Sequence, residues 1–347
     1  MILKSISLSN FRSFSKSTFY FNPFLTIITG KNAVGKTNLL ESIYFAFNGK
    51  GIKGEKQSEL VALKKTRTTV EVICGEEDEK ILYRIILESG ETTSKIFQVN
   101  KAKKTRFDYT NYTPPVVIFA PQLINVIEGS PSRRRRYIDA ILSKLNREYK
   151  RRLTNFEQGL RKRNKLLEKV YDVSKLTEEL VFWDNYLIEQ AGYLTRKREE
   201  LSNYLNEHQK IKTHTFSIKY KKSALTPQAL ESSFNKQLRY KRTVVGPQRD
   251  DFEIYKLSDG EKINVHTFGS RSEERLAMFW LVTNELKLYE ERLKKRPILL
   301  LDDIFSELDV INKSLILELL KKHQTILTTT EHDILDLIDS PHVVINL

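Results

Sequence analysis

The chain has 347 residues, with 58 Lys or Arg against 44 Asp or Glu and a formal charge of +14. That length supplies two or three domains' worth of core, and the basic balance favours a polyanionic partner. No apolar run reaches the ~18 residues of a membrane span, and the single Cys74 excludes an internal disulfide and suits a reducing cytosol, so a cytoplasmic protein is expected.

The opening MILKSISLSN reads as a strand at Ile2–Leu8, not as an apolar signal core. A second strand, Leu25–Thr29, runs into Gly30–Thr37, GKNAVGKT, and a helix follows over Lys36–Phe47. Strand, G-x-x-x-x-G-K-[ST] and helix together make a nucleoside-triphosphate loop. Gly30 and Gly35 let the backbone curl so that successive N–H groups face phosphate oxygens, and the helix adds its positive end. Lys36 reaches the β- and γ-phosphates, and the Thr37 hydroxyl suits Mg²⁺. The candidate ATP-binding residues are therefore Gly30, Lys31, Asn32, Ala33, Val34, Gly35, Lys36, Thr37 and Asn38.

Short strands follow at Thr69–Cys74, Ile81–Leu87, Ile96–Asn100 and Val116–Phe119. From Pro131 to about Lys212 the texture changes: no further Pro, only Gly159 and Gly192, and apolar residues at helical spacing. Two long helices are expected, broken near Tyr171–Lys175. Arg133–Lys169 carries 14 basic residues against 4 acidic ones. These include Arg133, Arg134, Arg135 and Arg136, the run Lys150, Arg151 and Arg152, and the run Arg161, Lys162 and Arg163. Acids there are too few to pair most of the bases, so the arginines, Arg151 and Arg152 included, are candidate contacts for DNA phosphates. A solvated helix face is the bland alternative.

Strand Thr215–Tyr220, helix Gln228–Tyr240, strand Phe252–Leu257 and helix Arg271–Leu293 come next. Strand Ile298–Leu301, helix Val310–Lys322 and strand Thr325–Thr329 complete an α/β pattern. Pro297–Asp303, PILLLDD, reads as a buried strand ending in two carboxylates, about 265 residues after the phosphate loop. Asp302 is placed to hold Mg²⁺, and Asp303 to orient or deprotonate the attacking water. So wide a separation looks like the ATP-binding-cassette ATPases that act on DNA, in which both ends of the chain build one head. The expected fold is an α/β, ABC-type P-loop ATPase head from 1–125 and 240–347, carrying an inserted, mostly α-helical basic lobe at 126–239.

Five stretches resemble the RecF family of bacterial replication and recombination-repair ATPases: ISLSNFRSF at Ile6–Phe14, GKNAVGKTNLLESIY at Gly30–Tyr44, FAPQLINVIEGSPSRRRRYIDAIL at Phe119–Leu142, VGPQRDD at Val245–Asp251 and LLLDDIFSELD at Leu299–Asp309. GSPSRRRR and VGPQRDD are the most diagnostic of these. The resemblance implies that Gln122 senses Mg²⁺ and the γ-phosphate, that Ser306–Asp309 communicates across a dimer, and that Asn10 and Arg12 approach the nucleotide. It implies an ATP-dependent homodimer with slow, DNA-stimulated hydrolysis. Single-stranded, double-stranded and gapped DNA would be its substrates in replication, gap repair and the SOS response. RecR- and RecO-type mediators would be its partners, with promotion of RecA loading.

Departures from the family pattern are visible. The trans-acting S-x-G-Q signature falls on Ser270-Arg271-Ser272-Glu273, with Ser for Gly and Glu for Gln. A serine side chain restricts close backbone approach. A carboxylate near a polyanion is unfavourable unless Mg²⁺, Arg271 or Arg275 compensates. Ala33 stands where related loops carry Gly. Thr328-Thr329-Thr330 occupies the position where transporters use His, and His332 just beyond reads as a surface residue. Two other functions stay open: a defence ATPase of the same superfamily that regulates a partner nuclease, and a DNA scaffold with a structural, unhydrolysed nucleotide. A small-molecule kinase is disfavoured, because the second carboxylate motif comes too late and the basic lobe would have no role.

Overall fold

A computed structural model describes residues 1–347 apart from 53–55, 77–78, 170–171, 259, 305–312, 314–317 and 331–340. The chain forms two compact units, Met1–Leu123 with Glu285–Leu347, and Ile124–Asn284.

The first unit opens with β1 (Ile2–Phe11) and β2 (Phe14–Tyr20), a hairpin closed by Arg12 and Ser13 in which Phe11 pairs Phe14. Then come β3 (Leu25–Thr29), α1 (Lys36–Asn48), β4 (Arg67–Gly75), β5 (Ile81–Ser89), β6 (Thr93–Val99), β7 (Ala102–Lys104), α2 (Arg106–Tyr112) and β8 (Val116–Phe119). The antiparallel sheet has the order β2-β1-β4-β5-β6-β7. Its strands alternate in burial, as β4 does along RTTVEVICG, so one face packs on the core. Every residue of β3 and β8 is buried, as expected of parallel strands covered on both faces. Helix α1 buries Leu39, Leu40, Ile43, Phe45, Ala46 and Phe47, and this apolar girth packs against strands of both sheets. It ends at left-handed Gly49 (φ 65°), whose N–H returns to the Phe45 carbonyl.

The second unit begins with α3 (Pro131–Leu145), α4 (Arg147–Glu168) and α5 (Val173–Glu207). Where two helices were expected there are three. Asn146 ends α3 and caps α4, its side chain accepting from the Tyr149 N–H, with no Gly or Pro to advertise the break. After β9 (Lys210–Ile211) and β10 (His214–Lys221), the expected Gln228–Tyr240 helix is split at Ser233 into α6 (Pro227–Ser232) and α7 (Phe234–Tyr240). Then come β11 (Asp251–Ser258), β12 (Glu261–Asn264), α8 (Val265–Phe268) and α9 (Arg271–Leu293). These four strands form an antiparallel sheet of order β12-β11-β10-β9. Because β11 pairs with β10 from Thr215–Leu257 to Lys221–Asp251, the unit runs on to Asn284, well beyond the residue 239 expected from composition.

The chain returns to the first unit within α9 and adds β13 (Ile298–Asp302), β14 (Thr325–Thr328) and β15 (His342–Asn346). The parallel sheet is ordered β15-β3-β14-β13-β8. Sequence reading missed β2, β7, β9, β12 and β15, which are short or largely exposed and lack an apolar period. Most of Val310–Lys322, together with Ser306–Asp309 and His332, lies outside the described residues. Among the described residues no helix is long and apolar enough to cross a membrane.

Candidate functional site

All five strands of the parallel sheet run the same way, and ligands of such sheets bind beyond the carboxyl ends. The phosphate loop follows β3, Asp302 ends β13 with Asp303 next, Thr328 ends β14 with Thr329 next, and Gln122 follows β8. The topology therefore gathers motifs that are far apart in sequence.

The loop curls through positive φ at Gly30 (146°), Ala33 (67°) and Gly35 (115°). A side chain at Gly30 would come within 2.7 Å of the Leu347 carbonyl oxygen, and one at Gly35 within 3.0 Å of Ser13 Oγ. Both positions thus need glycine for space as well as for dihedral angle. Ala33 holds the left-handed conformation at a cost of about 1 kcal/mol relative to glycine. Lys31, Asn32, Ala33 and Val34 are exposed on the crest. Lys36 is buried to 7% exposure, and its ammonium donates to the carbonyls of Gly30 (2.7 Å) and Lys31 (3.0 Å) inside the curl.

Thr37 Oγ1 donates to Asp302 Oδ1 at 3.0 Å, and Thr328 Oγ1 donates to the same oxygen at 2.9 Å. Asp302 is 3% exposed, so two hydroxyls stabilise a carboxylate withdrawn from water. Asp303 stands in the left-handed region (φ 46°), which aspartate tolerates, with its N–H donating to Thr328 Oγ1 (3.0 Å) and the Thr328 carbonyl (3.2 Å). Thr328, expected only at the switch position, proves to be the pin between the two acids. The hydroxyl and carboxylate oxygens of Thr37 and Asp302 are hard donors of the kind Mg²⁺ takes.

The β1–β2 turn borders the loop. Asn10 (φ 53°) and Arg12 (φ 49°) are left-handed, Ser13 Oγ accepts from Asn38 Nδ2 at 3.0 Å, and Arg12 Nε donates to buried Glu41 at 2.9 Å. Glu41 also accepts from the Ile52 N–H. The Arg12–Glu41 pair was not visible in sequence, since nothing in spacing links residue 12 to residue 41. Gln122 is exposed on the short 3-10 turn Pro121–Val126.

In the second unit Ser270 precedes α9 and forms a reciprocal capping box with Glu273. The Ser270 N–H (2.8 Å) and Oγ (3.0 Å) reach Glu273 Oε2, and the Glu273 N–H reaches Ser270 Oγ (3.3 Å). Lys256 Nζ of β11 lies 2.6 Å from Glu273 Oε1. The Lys256 hydrogen bond, aided by the Ser270 donors, holds the Glu273 carboxyl at a pKa of about 2. Lys256, a cation not singled out in the sequence, thus compensates the Glu273 carboxylate.

The basic lobe is sorted by burial. Arg133, Arg136 and Arg151 are exposed. Arg134 is 8% exposed and forks onto Asp251 at 2.7 and 3.1 Å, and Arg135 donates to the Asp250 carbonyl at 2.6 Å. Arg152 lies between Glu148 (2.6 Å) and Glu189 (2.8 Å), and Arg163, 1% exposed, binds Asp184, Gln237 and Thr243. Arg134 and Arg163 therefore serve the lobe's interior, against the expectation of phosphate contacts, because α3 and α4 turn those positions inward. Arg198 completes the interior network: it is 2% exposed and binds Asp139 (2.9 and 3.0 Å), Asp250 (2.6 Å) and the Pro247 carbonyl (2.8 Å). The two most diagnostic stretches, GSPSRRRR and VGPQRDD, are thus halves of one ionic framework.

Residues 2–346 match the family described as the RecF/RecN/SMC N terminal domain. The DNA replication and repair protein RecF of Agathobacter rectalis is 32% identical, covering 96% of this chain and 93% of that one. The solved recombination mediator protein RecF-ATPrS of the RecFOR pathway superposes with a TM-score of 0.87 at 29% identity, covering 99% and 95% of the two chains. A second such structure, RecF-ATP, gives 0.86 at 30% identity, covering 95% and 92%.

Proposed function

This chain belongs to the RecF family, and on that premise we propose that it is an ATP-controlled DNA-binding protein of replication and recombinational repair. The observation that carries the reading is the 3.0 Å contact between Thr37 and Asp302, residues 265 apart, beside a buried Lys36. Such a contact supports an ATPase head assembled from both chain ends. Likeness to RecF structures of the RecFOR pathway, described with ATP and ATPrS, supports ATP as the nucleotide and RecR- and RecO-type mediators as partners.

Lys36 takes the phosphates, and the loop amides of Gly30–Thr37 share that charge. Thr37 and Asp302 would hold Mg²⁺, which would screen the β- and γ-phosphate charge. Asp303, fixed by Thr328, orients the attacking water, and Gln122 closes the site from β8. Two copies of the chain close around two nucleotides, each supplying Ser270 to the other's γ-phosphate. Hydrolysis is slow, because Asp303 is one methylene shorter than glutamate and small misplacements of a water-positioning group cost rate steeply. Exposed Arg133, Arg136 and Arg151 meet DNA phosphates.

The test is anisotropy of a labelled gapped duplex with ATP, ADP or no nucleotide, for the parent and for Lys36→Ala. ATP should tighten binding by the parent and leave Lys36→Ala unchanged. Equal affinity in all three states of the parent would refute nucleotide control.

A further inference from the structure

The resemblance sets Glu273 where the signature has glutamine, and the structure places Lys256 as a counterweight beside it. We propose that Lys256 is a positioning residue of the trans-acting signature: it neutralises and anchors Glu273, so that Ser270 can face the γ-phosphate of a second copy. This rests on the ATP-dimer reading above.

Three observations carry the proposal. First, both donors of Ser270, its N–H and its hydroxyl, lie within 3.0 Å of one Glu273 oxygen. A bare carboxylate there would repel a triphosphate approaching the same hydroxyl. Second, the other oxygen of Glu273 is held by Lys256 Nζ at 2.6 Å, so the carboxylate reaches the interface as half of an ion pair. Third, Lys256 comes from a different element. It sits on β11, opposite Phe216 of β10 and Ile263 of β12, and the sheet fixes its backbone while its side chain is only 20% exposed. The lysine therefore ties the start of α9 to the sheet and offsets the charge there.

A glutamine at 273 would present an uncharged amide to the same cap. Lysine plus glutamate reproduces that neutrality with two residues. The geometry also fixes the direction of exchange. When Ser270 Oγ turns its proton to a phosphate, Glu273 keeps the Ser270 N–H and the lysine, so the cap survives the loss of one bond. Without Lys256 the carboxylate would hold the serine proton more strongly and repel the phosphate.

A stability role alone predicts something different from this account. If Lys256 merely tied β11 to α9, neutralising Glu273 could not repair its loss. If Lys256 exists to offset the carboxylate, it becomes dispensable once the carboxylate is gone.

The experiment is sedimentation velocity at micromolar protein with saturating Mg-ATP. It compares the parent, Lys256→Met, Glu273→Gln and the double variant, with thermal melting and ATP binding measured for each. Lys256→Met should weaken ATP-driven dimerisation about tenfold or more while each chain still binds ATP. Glu273→Gln should dimerise like the parent, and the double variant should return to within about threefold of Glu273→Gln. Should Lys256→Met fail to fold, Lys256→Gln, which keeps a polar partner for Glu273, replaces it with the same expectation. A double variant as impaired as Lys256→Met, or a Lys256→Met that dimerises like the parent, overturns the lysine's role alone. A parent that stays monomeric overturns the dimer reading beneath it and the proposal together.

Discussion

At the residue scale the nucleotide site is the most legible part of the chain. The GKNAVGKT spacing specifies a loop, and the structure gives each glycine a steric reason through Leu347 and Ser13. Lys36→Ala removes a charge-assisted phosphate contact and should cost about 1.5–3 kcal/mol of ATP affinity, tenfold or more, measurable by equilibrium dialysis. Sequence was silent on Thr328 as the pin of Asp302 and Asp303, because a hydroxyl at the end of one strand says nothing about its neighbour strand. It was silent on Lys256 for the same reason. Glu273 gives a pH signature. Its carboxyl has a pKa of about 2 in the fold against an ordinary 4.5, so its stabilisation is complete above about pH 4.5 and is lost as pH falls toward 2. The stability gap between the parent and Glu273→Gln should be flat at neutral pH and narrow on acidification, as read by urea denaturation at pH 6 and pH 3. A gap independent of pH would mean that Lys256 does not hold the carboxylate.

At the scale of elements, period and punctuation carried the reading where burial was one-sided or complete. Residues Arg271–Leu293 and Val116–Phe119 were bounded by breakers and apolar runs, and they form a helix and a strand at those limits. The α3–α4 break escaped notice because Asn146 is a cap that looks like an ordinary polar helix residue. The basic runs misled in part: charge counts along a helix do not tell which faces turn inward. Arg134 and Arg163 hold carboxylates and an amide of the lobe instead of facing solvent, and Arg198, outside those runs, holds Asp139 and buried Asp250. Arg198→Met should leave Asp139 and Asp250 without their shared cation and destabilise the second unit by about 3–5 kcal/mol. Differential scanning calorimetry would register this as an early melting of that unit, while nucleotide still protects the first. Cys74 offers a probe of the antiparallel sheet. Burial on β4 pushes its thiol up to about 12, so alkylation at pH 8 should wait for unfolding. Fast labelling of the native chain would show that the sheet opens locally.

At the scale of the whole molecule, the 58 basic residues have two destinations. Some pair with acids inside the lobe, as Arg134 and Arg163 do, and the net excess of +14 favours a polyanionic partner. Neutralising Arg133, Arg136 and Arg151 together should lower the slope of log affinity against log salt by ~0.9 for each DNA phosphate that those arginines neutralise, without altering sequence preference. An unchanged slope would move the DNA surface elsewhere. The central claim concerns ATP as the ligand that joins two copies. In the proposed dimer one chain would supply Lys36, Thr37, Asp302 and Asp303 to its own nucleotide, and its Ser270 to another's. ATP could shift a monomer–dimer balance only by binding the closed pair more tightly, and loss of the γ-phosphate would then remove that difference. The most direct test is the mass of the parent chain in solution, by light scattering at micromolar concentration with Mg²⁺ and ATP, ADP or no nucleotide. A dimer with ATP and monomers in the other two states is the predicted result; one mass in all three would contradict it.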